Sequence, residues 1–191
     1  MRKLVLQEWL SLDGFAEDRD GRLDFFPASE SDQYSDRDQL AFLDDVDTIL
    51  LGRRTYELFV DFWPTATTDR EIVADRLNAL PKLVFSNTLD AAPWGAWPAA
   101  QVVHGDAVAE IRRLKAQDGG TMVLWGSLSL AQALIAADLI DEYHLQLCPT
   151  IVGGGRRLFA EGLDAMALER VAVRSYDTGV VFVHYEPRRA R

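Results

Sequence analysis

What constrains this chain most is a repeated alternation of a short continuous apolar run with a stretch of helical spacing. Thr48-Ile49-Leu50-Leu51 stops at Gly52, and a helix is expected from Arg54 to about Val60. A second helical stretch, Asp69 to Leu80, is closed by Pro81 and precedes the run Lys82-Leu83-Val84-Phe85. Gln101-Val102-Val103 leads into a helix over Asp106 to Gln117, and Thr121 to Trp125 into one over Ser127 to Ala137. Apolar runs this short, bounded by turn residues, read as strands buried on both faces. Strands alternating with helices predict a mainly parallel sheet covered on both sides.

The two ends depart from that rhythm. Leu4, Val5, Leu6 and Trp9 begin a strand that stops at Ser11-Leu12-Asp13-Gly14, whose Asp-Gly ending is a turn signal. The polar segment from Asp13 to about Ser31 contains Gly14, Gly21 and Pro27 and reads as a long loop covering a site. Asp32 to Asp45 carries Leu40 and Leu43, with Val46 just beyond, at helical spacing, and Asp36 falls on the same inner face. From Ile140 onward helices largely disappear. Glu142 to Leu147 alternates like a strand, and Val171 to Tyr176 and Val180 to Tyr185 form a hairpin through Asp177-Thr178-Gly179. The expected fold is α/β, with three layers, a mixed but mainly parallel central sheet, an antiparallel C-terminal hairpin and helices on both faces.

With 191 residues, 48% of them hydrophobic, residues 1–191 are expected to form one domain around one substantial core. A formal net charge of −10 argues against a sequence-independent nucleic-acid binder. Arg188, Arg189 and Arg191 read as a solvated terminus. The single cysteine, Cys148, allows no disulfide within the chain and reads as a buried structural thiol. No apolar run approaches the roughly 20 residues of a membrane-spanning helix, and Met1-Arg2-Lys3 runs straight into the first strand. A cytoplasmic protein with no membrane partner is expected. His104, His144 and His184 lie far apart with no metal-ligand spacing, so no metal is expected.

Three strand-to-helix junctions carry the chemistry. At Gly52-Arg53-Arg54-Thr55, glycine lets an anion approach the backbone, Thr55 caps the helix or donates to phosphate, and two arginines supply bidentate charge. Ser86-Asn87-Thr88 offers three adjacent hydrogen-bonding side chains that suit a ribose or a 2′-phosphate, or an ordinary turn. Gly126-Ser127-Leu128-Ser129 turns a buried strand into a helix through one glycine and two hydroxyls, a seat for a pyrophosphate. Gly153-Gly154-Gly155 permits close backbone approach to a ligand or a neighbouring chain. Neither G-x-G-x-x-G nor G-x-x-x-x-G-K-[ST] occurs.

Taken in order, these motifs resemble the dihydrofolate reductase fold. Within it, the chain is most similar to the C-terminal reductase domain of the bifunctional riboflavin-biosynthesis enzyme and its stand-alone relatives. The resemblance rests on Ser11-Leu12-Asp13-Gly14, Leu51 to Glu57, Leu80 to Ser86, Leu124-Trp125-Gly126-Ser127, and Asp141-Glu142-Tyr143 leading to Pro149 and Gly153 to Gly155. It implies NADPH as cofactor, with Gly52 to Thr55 and Ser86 to Thr88 near the adenosine phosphates and Gly126 to Ser129 under the pyrophosphate. It places Asp13 and Gly14 beside nicotinamide and substrate, with Trp9, Leu40 and Gly154 as further substrate-side positions. Folate-reducing members use a carboxylate on the first helix to protonate a pteridine, and Asp36 falls near that position. The Trp-x-x-Pro pattern of folate reductases is absent before Asp36, and residues 1–191 carry no zinc-ligand Cys and His set of a deaminase domain.

The expected activity is therefore NADPH-dependent reduction of a small heterocycle, resembling 5-amino-6-(5-phosphoribosylamino)uracil reductase. Reduction of a dihydrofolate or pterin is the alternative, as is a non-catalytic NADPH- or heterocycle-binding protein. The C-terminal antiparallel edge needs cover, and a homodimer is one solution.

Overall fold

A computed structural model describes residues 1–26 and 33–188. At its centre lies β1 (Leu4–Ser11), whose Leu4, Val5, Leu6 and Leu10 are at most 4% exposed because both faces of the strand are covered. The parallel partners of β1 are β7 (Thr121–Trp125) on one side and β8 (Glu142–Cys148) on the other. Beyond β7 follow β3 (Val46–Gly52), β4 (Lys82–Phe85) and β6 (Trp97–Val103), all parallel. Antiparallel pairing closes both flanks, through β5 (Ala92–Trp94) against β6, and through β11 (Val181–Pro187) and β10 (Leu168–Ser175) beyond β8. The sheet order is β10-β11-β8-β1-β7-β3-β4-β6-β5.

Helices cover both faces, as alternating apolar strands require. On one face Leu6, Leu50, Leu124 and Tyr143 pack with Ile111 and Leu114 of α4 (Ala107–Lys115) and with Leu128, Ala131, Leu134 and Ile135 of α5 (Leu128–Ala136). On the other, Val5, Ile49, Leu51, Val84 and Trp125 meet Leu43 of α1 (Gln33–Asp44), Tyr56 of α2 (Arg53–Phe62) and Leu77 of α3 (Ala74–Ala79). Asp106 caps α4 by accepting from the Val108 and Ala109 N–H groups, the role its residue type favours. No helix among the described residues is long and apolar enough to cross a membrane.

The strand and helix expectations hold at most positions, with three corrections. The segment from Asp13 is not one loop, because β2 (Phe15–Asp18) pairs antiparallel with β9 (Gly155–Arg157) in a separate two-stranded sheet. Neither strand shows a two-residue apolar period, and their pairing depends on Gly155. Its φ of +144° and a would-be Cβ only 1.9 Å from the Glu17 carbonyl oxygen admit no side chain. The remainder of that loop, including Pro27 and Ser31, lies outside the described residues, as do Asp32 of the expected helix and Arg189 and Arg191 of the basic tail.

The helix expected from Asp69 shrinks to Ala74–Ala79. The residues before it form turns in which the Arg70 and Glu71 N–H groups both donate to the Thr67 carbonyl. Only Gln101 to Val103 is expected as a strand here; β6 begins earlier, at Trp97, and pairs with β5 as a hairpin. Pro93 and Pro98 disguise both strands, yet proline is tolerated in β5 because that strand is the sheet edge. Cys148 is fully buried, and burial pushes its thiol up to about 11, as a structural residue would be.

One buried amide joins this edge to the helical layer. Asn78, 1% exposed, accepts from the Trp94 indole N–H at 2.7 Å and donates to the Trp63 carbonyl at 2.7 Å. Replacing Asn78 by Ala strands the fully buried Trp94 indole N–H, whereas the Trp63 carbonyl keeps the Ala66 N–H, and one such orphaned group costs about 1–3 kcal/mol. Asn78→Ala is therefore expected to lose about 1–3 kcal/mol in urea unfolding with an unchanged slope; a loss under about 0.5 kcal/mol would show that the amide is not the joint.

Candidate functional site

The carboxyl ends of β1, β3, β4 and β7 open into a cleft of about 670 Å³ between the sheet, α1, α2 and the start of α5. At its rim two strand-to-helix junctions lock together. Ser127 Oγ accepts from the Gly52 N–H at 2.7 Å and donates to the Trp125 carbonyl at 2.9 Å, while Thr55 Oγ1 accepts from the Ser127 N–H at 2.8 Å. The approach is so tight that a Cβ on Gly52 would lie 3.3 Å from Ser127 Cβ, and one on Gly126 would lie 3.0 Å from Thr55 Oγ1. Gly126 and Ser127 both take left-handed φ values, +52° and +57°.

This lock leaves both helix starts open. Ser127 Oγ is committed to Gly52 and Trp125, so it does not cap α5, and Gly52 has no side chain to cap α2. The first N–H groups of two helices are thus available at one rim of the cleft, with the positive ends of both dipoles. Arg53 and Arg54 add charge there, Arg53 paired with Glu57 at 2.9 Å and Arg54 3.7 Å from Glu17. Arg156 reaches across from β9, donating to Ser129 Oγ at 3.0 Å and pairing with Glu17 at 3.3 Å. Backbone donors plus arginine cations at a rim are the chemistry of an anion seat.

A second group of polar and aromatic side chains lines the same cleft. Gln7 and Gln39 pair amide to amide, and the Trp125 indole N–H donates to the Gln7 carbonyl oxygen. Around this pair stand aromatic rings: Trp9 stacked on Phe26 at 5.4 Å, and Phe59 at 6.0 Å from Trp125 and 6.2 Å from Trp63. Asp36, in the first turn of α1 and three residues before Gln39, lines the same cleft.

The fold gathers Trp9, Asp36, Gly52, Arg53, Arg54, Thr55, Gly126, Ser127, Leu128 and Ser129 around this one cleft. It sets the other expected positions elsewhere. Ser86 Oγ accepts from the Thr88 and Leu89 N–H groups and Asn87 Oδ1 from Gly105, so Ser86, Asn87 and Thr88 build a turn beside the lining residue Phe85. Asp13 accepts from Val152 and Gly153 N–H groups, and with Gly14 at φ +83° it ties the first turn to the glycine run. Gly154 lies against the Arg19 guanidinium and Leu40 packs into the core beneath α1.

Sequence reasoning missed Gln7, Glu8, Gln39, Phe59, Gln146 and Arg156. The signal for two of them was present, since Gln7-Glu8 interrupts an otherwise apolar central strand, where polar groups are costly without a role. Glu8 is 6% exposed; its Oε1 accepts from the Trp9 N–H, its Oε2 has no hydrogen-bond partner among the described residues, and burial pushes the carboxyl up to about 8.

A family model described as the RibD C-terminal domain matches residues 2–182. The uncharacterized protein YyaP of Bacillus subtilis is 28% identical over 187 residues, covering 96% of this chain and 94% of that protein. A crystal structure from Shewanella sp. PV-4, of a protein provisionally named for riboflavin biosynthesis, superposes with a TM-score of 0.78 at 25% identity, covering 98% of this chain and 99% of the other. Dihydrofolate reductase from Enterococcus faecalis, complexed with NADP(H), superposes with a TM-score of 0.62 at 14% identity, covering 98% and 97%. The last likeness is one of fold, and the architecture is that of dihydrofolate reductase.

Because its folded-state value is raised, Glu8 contributes most to stability below about 4.5, where both states are protonated, and that contribution is lost as pH rises toward about 8. The stability difference between wild type and Glu8→Gln is expected to fall by about 1.4 kcal/mol per pH unit across that window and then level off. Parallel pH profiles for the two proteins would show that Glu8 titrates normally.

Proposed function

Since the chain belongs to the RibD C-terminal domain family, we propose that it is an NADPH-dependent reductase of a small heterocyclic substrate. A ribosylaminopyrimidine is the first candidate acceptor and a dihydropterin the second. The observation that carries this is the pair of uncapped helix starts locked by Ser127 beside Arg53 and Arg54. A dinucleotide's pyrophosphate needs such donors, and the two glycine positions where a Cβ would crowd the lock leave the backbone bare to meet it. When bound, NADPH supplies the hydride.

Within this proposal the chain's own residues bind, orient and hold protons. Gly52 to Thr55 and Gly126 to Ser129 hold the phosphates, and Arg53 or Arg54 meets the 2′-phosphate that separates NADPH from NADH. The Gln7–Gln39 pair and the Trp125 indole fix the polar edge of a ring lying among Trp9, Phe26, Phe59 and Trp63. Asp36 is the carboxyl of that group and the candidate proton source. Glu8, protonated at neutral pH through burial, adds no negative charge to a floor that must accept a polyanion. Asp13, Gly14 and Gly154 act from the adjoining turn, and Ser86 to Thr88 at the far rim. We take the protein as cytoplasmic and as a homodimer through β10, whose Val171 and Val173 are 52% and 47% exposed along a sheet edge.

Calorimetric titration with NADPH and with NADH is expected to show preference for NADPH. Arg53→Ala or Arg54→Ala should weaken NADPH by about tenfold or more, the worth of a charge-assisted contact, while NADH affinity barely changes. NADPH oxidation on adding a ribosylaminopyrimidine or dihydropterin completes the case. Binding without turnover on either would support the non-catalytic alternative, and no binding of either nucleotide would refute the proposal.

A further inference from the structure

Away from the rim of the cleft where the two junctions meet, β8 and β11 pair in a register that sets His144 directly opposite His184. Residues two apart on a strand share a face. Glu142 therefore stands beside His144, and Glu186 beside His184, on the face that α1 covers. Phe42 of α1 and Phe182 flank the His144 ring with centroids 5.0 and 5.4 Å away.

The donor atoms of this patch converge. His144 Nε2 lies 3.1 Å and His184 Nε2 lies 3.2 Å from the same oxygen, Glu142 Oε2, and one ligand atom from each of the three residues lies within 4.8 Å of the others. Lys3 Nζ holds the other oxygen of that carboxylate at 2.6 Å, which fixes Oε2 toward the imidazoles as an outer-shell partner orients a ligand. Hydrogen bonding alone does not account for the cluster. His184 Nε2 is buried and, despite the short distance, makes no hydrogen bond of acceptable geometry among the described residues. Glu186 Oε1, 4.0 Å from the same nitrogen, is a second carboxylate within reach.

Two imidazole nitrogens and a carboxylate oxygen are a donor set that borderline divalent cations favour. Tetrahedral Zn²⁺ with ligands at roughly 2.0–2.1 Å spaces them roughly 3.3 Å apart, close to the two contacts seen here. We propose that Glu142, His144 and His184 form a site for Zn²⁺ or a similar divalent cation, with Glu186 or water as the fourth ligand. The role is structural. Within the main sheet β11 meets the parallel strands only through β8, so an ion bridging the two clamps the C-terminal hairpin onto the core. The site does not depend on the reductase proposal.

The test uses tag-free protein stripped with EDTA, desalted and titrated with Co²⁺ as a spectroscopic stand-in for Zn²⁺. Expected are the visible absorption bands of tetrahedral Co²⁺ at one ion per chain, their loss on adding Zn²⁺, and a melting temperature raised by roughly 5–10 °C at a hundredfold excess of Zn²⁺ over Kd. EDTA should reverse that shift. His184→Gln should weaken binding at least tenfold and abolish the shift, whereas His104→Gln, at an exposed position on another strand's end, should leave both unchanged. Should His184→Gln fail to fold, the wild-type titration decides alone. No Co²⁺ band and no reversible Zn²⁺ shift in wild type would overturn the site, as would bands that survive His184→Gln but vanish in His104→Gln.

Discussion

The cleft depends on one hydroxyl. Ser127 Oγ takes the N–H of Gly52 and gives its proton to the Trp125 carbonyl, while the backbone N–H of Ser127 goes to Thr55. These bonds join two crossover units that are neighbours in the sheet through β3 and β7. They also hold Ser127 in a left-handed conformation that a non-glycine residue takes at a cost of about 1–2 kcal/mol. The strain persists because the bonds around it fix the turn. What results is a pair of helix starts whose donors face outward, since the residue that would ordinarily cap one of them is engaged with the other.

The central strand carries the complementary feature. Most of β1 satisfies the demand of a doubly covered parallel sheet, with Leu4, Leu6 and Leu10 on one face and Val5 on the other. Gln7 and Glu8 violate it in sequence, and each is handled differently. Gln7 has both its amide nitrogen and its amide oxygen hydrogen-bonded, by Gln39 and Trp125. Glu8 has no such partner for Oε2 among the described residues, so burial removes its charge instead of pairing it. Both residues line the cleft, at a point along the central strand where polar groups are costly without a role.

Much of this was legible in the chain because the informative patterns are local. The apolar runs at Thr48, Lys82 and Thr121 predict buried strands, and the glycine-hydroxyl junctions at Gly52 and Gly126 mark the places where helices start. Those two junctions meet in one cleft because adjacent strands bring them there. Gln39, Phe59 and Arg156 were not legible, as each reaches the cleft from an element whose position depends on long-range packing. Asp13 shows the converse case. Its turn was read correctly, but its carboxylate accepts from Val152 and Gly153, partners some 140 residues away that no local pattern supplies.

The histidines make the same point through register. Along the chain His144 and His184 are separated by forty residues, and no ligand spacing connects them. An antiparallel ladder turns that separation into opposition, because pairing Tyr143 with Tyr185 forces the two imidazoles onto one face. A slip of one residue in β11 would turn His184 to the other face and set Tyr185 in its place. The convergence of His144, His184 and Glu142 is thus a property of the strand register, and the apolar contacts of Val181 and Val183 that set the register also set the cluster.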